Sequence, residues 1–439
     1  MSFDFLNWLL FGGLIVFVAL GLPIVFCLGG VAVIFLLLVW DPPYYQAIYW
    51  DMQRVLGSFS FLAIPLFIFM ANMLERSGIA EDLYTMIHHW IGRLAGGLAM
   101  GTVLICTLLS AMVGLSGAAV VTMGVTALPS MLKRGYDKHI AIGSIAAGGT
   151  LGILIPPSVI MVVYAIAAKE SIARLFLAGI LPGLLLSSIF IAYIGIRCRL
   201  QPHLAPSLPP KERANWKEKF TSLRSVILPV SLVVLVLGSI FMGIATVTES
   251  AAVGAAGAIL CAVILRRFTW QKFKETNYET LKLTCMIMWI LIAALSFTRA
   301  YIIIGVLQFF QEVFTGLPLG PWGAIIVIQL TFLLLGCFLD PFGILMVTMP
   351  VFIPIITSLG FDPVWFGIIF VVNMEMAYLT PPVGLNLFYM KGVAPKGTTM
   401  GDIYRSIMPF VLLQGFVLAL LTIFPQIALW LPNLLMGSQ

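Results

Sequence analysis

Two pairs of adjacent prolines sit inside apolar stretches that otherwise suit membrane helices: Pro156-Pro157 in GGTLGILIPPSVI (148–160) and Pro381-Pro382 in AYLTPPVGLNL (377–387). Proline lacks an N–H, so each pair removes the helical donors for the carbonyls four residues earlier, Gly152 and Ile153 in one case, Ala377 and Tyr378 in the other. Freed carbonyls are hard oxygen ligands. A bilayer tolerates such backbone only where protein buries it or it lines a wet cavity. A half-helix C-terminus carries partial negative charge and a half-helix N-terminus partial positive charge. Each break could therefore hold a sodium ion at one end and an anionic group at the other. Ser116, Thr150, Thr380 and Asn386 could add side-chain oxygens or donors. The bland alternative is a structural proline kink, which two adjacent prolines at matched positions make the weaker reading.

The ionisable residues divide in the same way. Asp340 precedes Pro341, the pattern of an N-cap followed by a first-turn proline, so it either caps a helix or touches an ion or substrate. Arg299 and Glu375 lie in apolar surroundings, where charge is costly and points to function; each could instead pair structurally or lie at an interface. Glu249 in TVTESAAVG reads as the opening of a helix after Thr248, and His88 and His89 in an amphipathic stretch read as interfacial. The six cysteines are scattered without a C-x-x-C pair and suggest packing rather than disulfides or a metal. An enzyme finds no support in an H-E-x-x-H motif or in paired intramembrane carboxylates, and the phosphate-binding loop of ATP hydrolysis is missing.

The elements that must position these residues are membrane spans. The 439 residues are 61% hydrophobic and 10% charged, with a mean hydropathy of +1.08, a balance outside that of soluble globular domains. Membrane lipid is thus a partner and nucleic acid is not. The net charge of +6 comes mainly from two loops: Arg197 to Arg224 carries seven Lys/Arg against two Glu, and Arg266 to Lys282 five against two. Both are expected in the cytoplasm, with both termini outside. The same rule runs the first double-proline helix from inside to outside, after Lys133, Arg134 and Lys138, and the second from outside to inside, before Lys391, Lys396 and Arg405.

A shift of 225 positions superposes the two regions: Pro129 on Pro354, Gly135 on Gly360, Tyr136 on Phe361, Asp137 on Asp362, and each double proline on the other. Six matches in register, in opposite orientations, indicate an inverted repeat of the kind that builds secondary transporters. Ahead of each broken helix, an uncharged run is interrupted by small or turn residues, GLSGAA at 114–119 and FLDPFG at 338–343. Re-entrant hairpins explain these runs better than pairs of full spans, since each copy then has a tip to meet its broken helix.

At these residues the chain also resembles the large membrane subunit of the tripartite ATP-independent periplasmic (TRAP) transporters. The likeness covers essentially the whole chain and is most specific in FLAIPLFIFMANMLERSGIAEDL (61–83), GGTLGILIPPSVIMVVYA (148–165), TVTESAAVGA (246–255), and VTMPVFIPIITSLGFDPVWFGI leading into LTPPVGLNLF (379–388). The resemblance implies a sodium-driven elevator importer of organic anions in a bacterial inner membrane. It also implies two sodium sites and two partners, a small four-helix membrane subunit and a soluble periplasmic binding protein. Carried onto this chain, the first site falls on Gly114, Ser116 and Gly117 with Thr150, Gly152 and Pro156, and the second on Asp340 and Gly343 with Thr380, Pro381 and Gly384. Ser116, Arg299, Thr380 and Asn386 are the candidate substrate contacts.

The expected protein is all-α, with about ten spans and two hairpins. Residues 1–55 form scaffold helices; 56–196 form the first repeat, with a hairpin at 94–132 and a broken helix at 140–168. Residues 197–282 hold a cytoplasmic loop and more scaffold, and 283–439 form the second repeat, with a hairpin at 313–361 and a broken helix at 363–390. The expected function is sodium-coupled import of a small carboxylate or sulfonate, not catalysis; the rival is a self-sufficient sodium and anion symporter that needs no binding protein.

Overall fold

The computed structural model describes residues 3–39, 45–92, 94–114, 116–207, 214–309, 320–382 and 384–437. Every regular element in them is helical. Six helices are long and apolar enough to cross a bilayer, or seven with the bent Trp216–Phe241. The others are short for a reason. Hairpin arms of 17 and 18 residues, Gly97–Val113 and Ser116–Lys133, reach about 26 Å at 1.5 Å per residue, less than the ~30 Å hydrocarbon core. The pieces of the first broken helix, Lys138–Thr150 and Val159–Ala168, are shorter still, which leaves the break within the membrane.

The 225-residue shift recurs in the helix boundaries. The second hairpin arms, Ser116–Lys133 and Pro341–Ser358, correspond end to end, and Lys138 and Pro363 both open a broken helix behind an aspartate cap. The second copy continues through Pro363–Leu379 and Leu385–Val393. Both double prolines are cis. The expected second hairpin starts partly outside the described residues, at 313–319; its first described arm is Gly320–Gly336.

The same shift relates Ile24–Val39 to Val247–Ile264, so the repeat reaches beyond the proline-centred blocks into the helices expected to be scaffold. These helices pack by exchange: Ala63–Arg76 runs along Val247–Ile264, and Ile24–Val39 along Trp270–Ile304. Gly254 permits the first approach, because a Cβ there would lie 2.6 Å from the Met70 sulfur. Sequence patterning hid this layer, whose helices carry no proline break to mark their repeat.

Helix starts follow local chemistry. Asp137, Asp362 and Asp340 each accept backbone N–H bonds at a first turn, while Asn215/Glu218, Thr246/Glu249 and Thr399/Asp402 form capping boxes. Glu249 thus does open a helix, but the cap is Thr246 rather than Thr248. The described cysteines are all free.

Side-chain contacts show the two broken helices running antiparallel. Arg174, just after the first one, faces Asp362 at the start of the second at 3.6 Å and donates to Asn433. At the other end, Lys138 at the start of the first pairs at 2.7 Å with Asp402, beyond the second. Glu170, in the connection beside Arg174, is held above the usual carboxylate range by burial and by the Asp362 charge, against the pull of Arg174.

Candidate functional site

The first broken helix runs from its Asp137 cap to Thr150, tightens into a 3-10 turn at Leu151–Ile153 and resumes at Val159. Every residue from Leu151 to Ser158 is buried, Gly152 and Pro156 included. The break is partly satisfied from within: the Ser158 hydroxyl donates to the Ile153 carbonyl at 2.6 Å, and Leu151 O accepts from Leu154 and Ile155. Of the two carbonyls expected to be free, Ile153 is therefore engaged, while Gly152 is the one whose helical donor Pro156 removes. Thr150 is occupied as well. Its hydroxyl donates to Ala147 O at 2.8 Å and accepts from Gln414 Nε2 at 3.0 Å.

The first hairpin closes onto this break. Gly114 ends the first arm at φ +64°, and a Cβ built there would sit 2.3 Å from the Pro157 carbonyl oxygen. Only glycine meets both demands. Ser116, at the start of the returning arm, reaches the other repeat: Asn386 Nδ2 donates to its Oγ at 2.7 Å, and the hydroxyl donates back to Asn386 Oδ1 at 2.9 Å. Asn386 Nδ2 also approaches Ala146 O at 3.4 Å, in the first broken helix. Gly117 and Gly124 let the same arm lie against Tyr389 and Val393 of the helix after the second break. The pseudo-equivalent packing, Pro341–Ser358 on Val159–Ala168, is also present.

The second break is built alike but is more open. Pro363–Leu379 ends with Thr380 donating its hydroxyl to Met376 O at 2.7 Å and its N–H to Ala377 O at 3.1 Å. Gly384 donates back to Thr380 O, and a Cβ there would lie 2.7 Å from Tyr378 O and 3.0 Å from Thr380 O, so carbonyl oxygens crowd this turn. Pro381 and Pro382 are exposed, unlike their counterparts. The second hairpin meets this break through Gly336, where a Cβ would lie 2.4 Å from that of Ala377. Asp340 lies within Coulombic range of the Tyr378 side chain. Its two oxygens differ. Oδ1 accepts from Phe342 and Gly343 N–H, and Oδ2, close to Gly343, is buried without a hydrogen-bond partner.

Arg299 does not join these groups. It forms a two-pronged pair with Asp51, Nε to Oδ2 at 2.8 Å and Nη2 to Oδ1 at 2.5 Å, and Asp51 is 2% exposed. The pair ties Tyr45–Leu56 to Trp270–Ile304, the structural option for this arginine. Glu375 is fully buried in the second broken helix, and neither of its oxygens has a hydrogen-bond partner. Sequence reasoning passed over Ser158, Gln414 and Asp51. Gln414 was the detectable one, as a lone amide within the apolar run of Met400–Ile423.

Residues 11–427 match the family described as tripartite ATP-independent periplasmic transporter, DctM component. The chain belongs to that family. Among its relatives, the C4-dicarboxylate TRAP transporter large permease protein of Vibrio cholerae is 35% identical, over 95% of this chain and 96% of its own length. The ectoine/5-hydroxyectoine TRAP transporter large permease protein of Ruegeria pomeroyi is 32% identical, over 96% and 97%. Of solved structures, Neisseria gonorrhoeae MtrF superposes with a TM-score of 0.64 over 96% of this chain and 97% of its own at 13% identity, a likeness of fold alone. This TRAP permease is accordingly a multi-pass inner-membrane protein of the transport class, and its relatives are permeases rather than enzymes.

Proposed function

We propose that this permease imports a small organic anion together with sodium ions, the ions being co-transported cargo. The observation that carries the reading is Asp340 Oδ2, a buried carboxylate oxygen with no hydrogen-bond partner at the second hairpin tip; the second break adds the Tyr378 and Thr380 carbonyls that crowd Gly384. Oxygen-rich breaks of this kind suit a small hard cation. The first ion is assigned to Gly114, Ser116, Gly117, Thr150, Gly152 and Pro156, the second to Asp340, Gly343, Thr380, Pro381 and Gly384. The substrate's anionic group would lie between the two breaks, within reach of Ser116, Asn386 and Thr380.

The hairpins and broken helices are proposed to move as one body against the exchanged outer layer. Inward movement of a net positive charge gains about 2.3 kcal/mol per 100 mV, so two sodium ions with one monoanion would be drawn in, whereas entry with a doubly ionised dicarboxylate would be neutral and driven by the sodium gradient alone. As part of a tripartite system, the chain would receive substrate from a periplasmic binding protein and act beside a small four-helix membrane subunit. A dicarboxylate or another small organic acid is the substrate class that the V. cholerae relative's name favours.

The test is Asp340→Asn, which keeps a side-chain oxygen for capping but removes the charge. Reconstituted with its partners, the variant should need roughly tenfold more sodium for half-maximal uptake, as loss of about 1.4 kcal/mol of ion binding requires, while its melting temperature stays near wild type. Unchanged sodium activation would refute the assignment.

A further inference from the structure

At the end of the molecule far from the breaks, a cavity of about 220 Å³ opens between three helices. His139 comes from the start of the first broken helix, Tyr193 and Arg197 from the end of Ile172–Leu200, and Arg405 and Ser406 from the start of Met400–Ile423. Eleven residues of helix separate His139 from Thr150, about 16 Å at 1.5 Å each, so this cavity is not part of the hairpin-tip sites.

Its charge is unbalanced. Among the described residues, neither Arg197 nor Arg405 pairs with a carboxylate. The acid one turn before Ser406, Asp402, is taken by Lys138 and by the Thr399 cap. Arg197 donates to the Tyr193 hydroxyl and lies 5.8 Å from the centre of its ring, which holds the guanidinium at the cavity wall. The Ser406 hydroxyl gives its proton to Asp402 O at 2.7 Å, so at 3.0 Å it accepts from His139 Nδ1, and the imidazole is fixed in orientation with Nε2 unspent on that bond.

We propose that this cavity binds a phosphate group. Two guanidiniums, Arg197 and Arg405, reach the cavity from two different helices, which suits an anion with oxygens on several sides better than a flat carboxylate. A second cavity, of about 380 Å³, shares Tyr193 and Arg197 and is walled by Ile196 and Leu200, 62% and 77% exposed on the apolar surface. That continuity presents the phosphate as the headgroup of a bilayer lipid, with its chains against Ile196 and Leu200. By the positive-inside rule this is the cytoplasmic leaflet, where anionic lipid adds attraction.

The test follows thermal unfolding of the purified full-length chain in detergent during titration with phosphatidylglycerol, phosphatidylcholine or inorganic phosphate. Wild type should gain stability from phosphatidylglycerol, and Arg405→Gln should weaken its apparent affinity about tenfold, as loss of one charge-assisted contact implies. Arg199→Gln, an exposed arginine on the same helix end that does not line the cavity, should leave the affinity as it was. Stabilisation by inorganic phosphate alone, lost in Arg405→Gln, would support the site and identify a soluble source. Arg197→Gln repeats the test but also removes the bond to Tyr193, so Arg405, with no polar partner to lose among the described residues, decides it. Equal lipid responses in wild type and Arg405→Gln, or an equal loss in Arg199→Gln, would overturn the proposal.

Discussion

Asp340 caps a helix with Oδ1 and leaves Oδ2 without a partner, and the sequence disclosed the cap. The Asp-Pro pair announces a cap, because Pro341 has no N–H to satisfy while those of Phe342 and Gly343 need an acceptor. That Oδ2 would be buried and unpartnered depends on the surrounding helices, which no local pattern encodes. Gly114 is the opposite case: its place in GLSGAA marked a tip, and the structure adds the reason glycine is obligatory. Gly114→Ala must bear a left-handed backbone, worth about 1–3 kcal/mol, and a Cβ 2.3 Å from Pro157 O. The expected outcome is a clear drop in melting temperature together with loss of uptake. A melting curve like that of wild type would show that the tip does not press on the break. Ser116 and Asn386 were legible as polar residues near the breaks, but their mutual bond, across 270 positions, belongs to tertiary structure.

Among the elements, those with a proline signature were readable and those without one were not. The arms of both copies, and the aspartate caps that open their broken helices, fall within two residues of where a 225-residue shift places them, since Asp, Pro and Gly impose local geometry whatever surrounds them, although the second broken helix runs four residues further before its break. The exchanged layer carries no such break, and its apolar stretches say little about which neighbour they meet. Arg299 shows the limit. In sequence it is a lone charge in a span; in space Asp51, on an amphipathic helix 248 positions earlier, neutralises it. Removing both charges, as Asp51→Asn with Arg299→Gln, should leave substrate KM unchanged and destabilise less than Asp51→Ala alone, which strands the arginine. Melting temperatures and uptake kinetics check this, and a raised KM in the double variant would return Arg299 to the substrate path.

For the whole molecule, orientation and company are the open quantities. One end gathers Lys138, Arg197 and Arg405, the other Lys169, Glu170 and Asp362, so a cysteine replacing exposed Lys169 should react with an impermeant maleimide in intact cells, and one replacing exposed Gln201 should not. The reverse labelling would invert the topology. Position 212, in the expected cytoplasmic loop, lies outside the described residues. The chain alone in proteoliposomes, under an inward sodium gradient, should take up no substrate; uptake should appear only when the small subunit and the loaded binding protein are both added. Robust uptake by the chain alone would favour a self-sufficient symporter. The interlocking of the two copies also bears on how the protein is made. Ser116–Lys133 finds its partner in Leu385–Val393, and Ala63–Arg76 finds its own in Val247–Ile264. During synthesis the first hairpin therefore enters the bilayer long before the helix that covers its glycine face has been translated, so the half-made chain must be sheltered by lipid or by the insertion machinery until the ribosome has nearly finished.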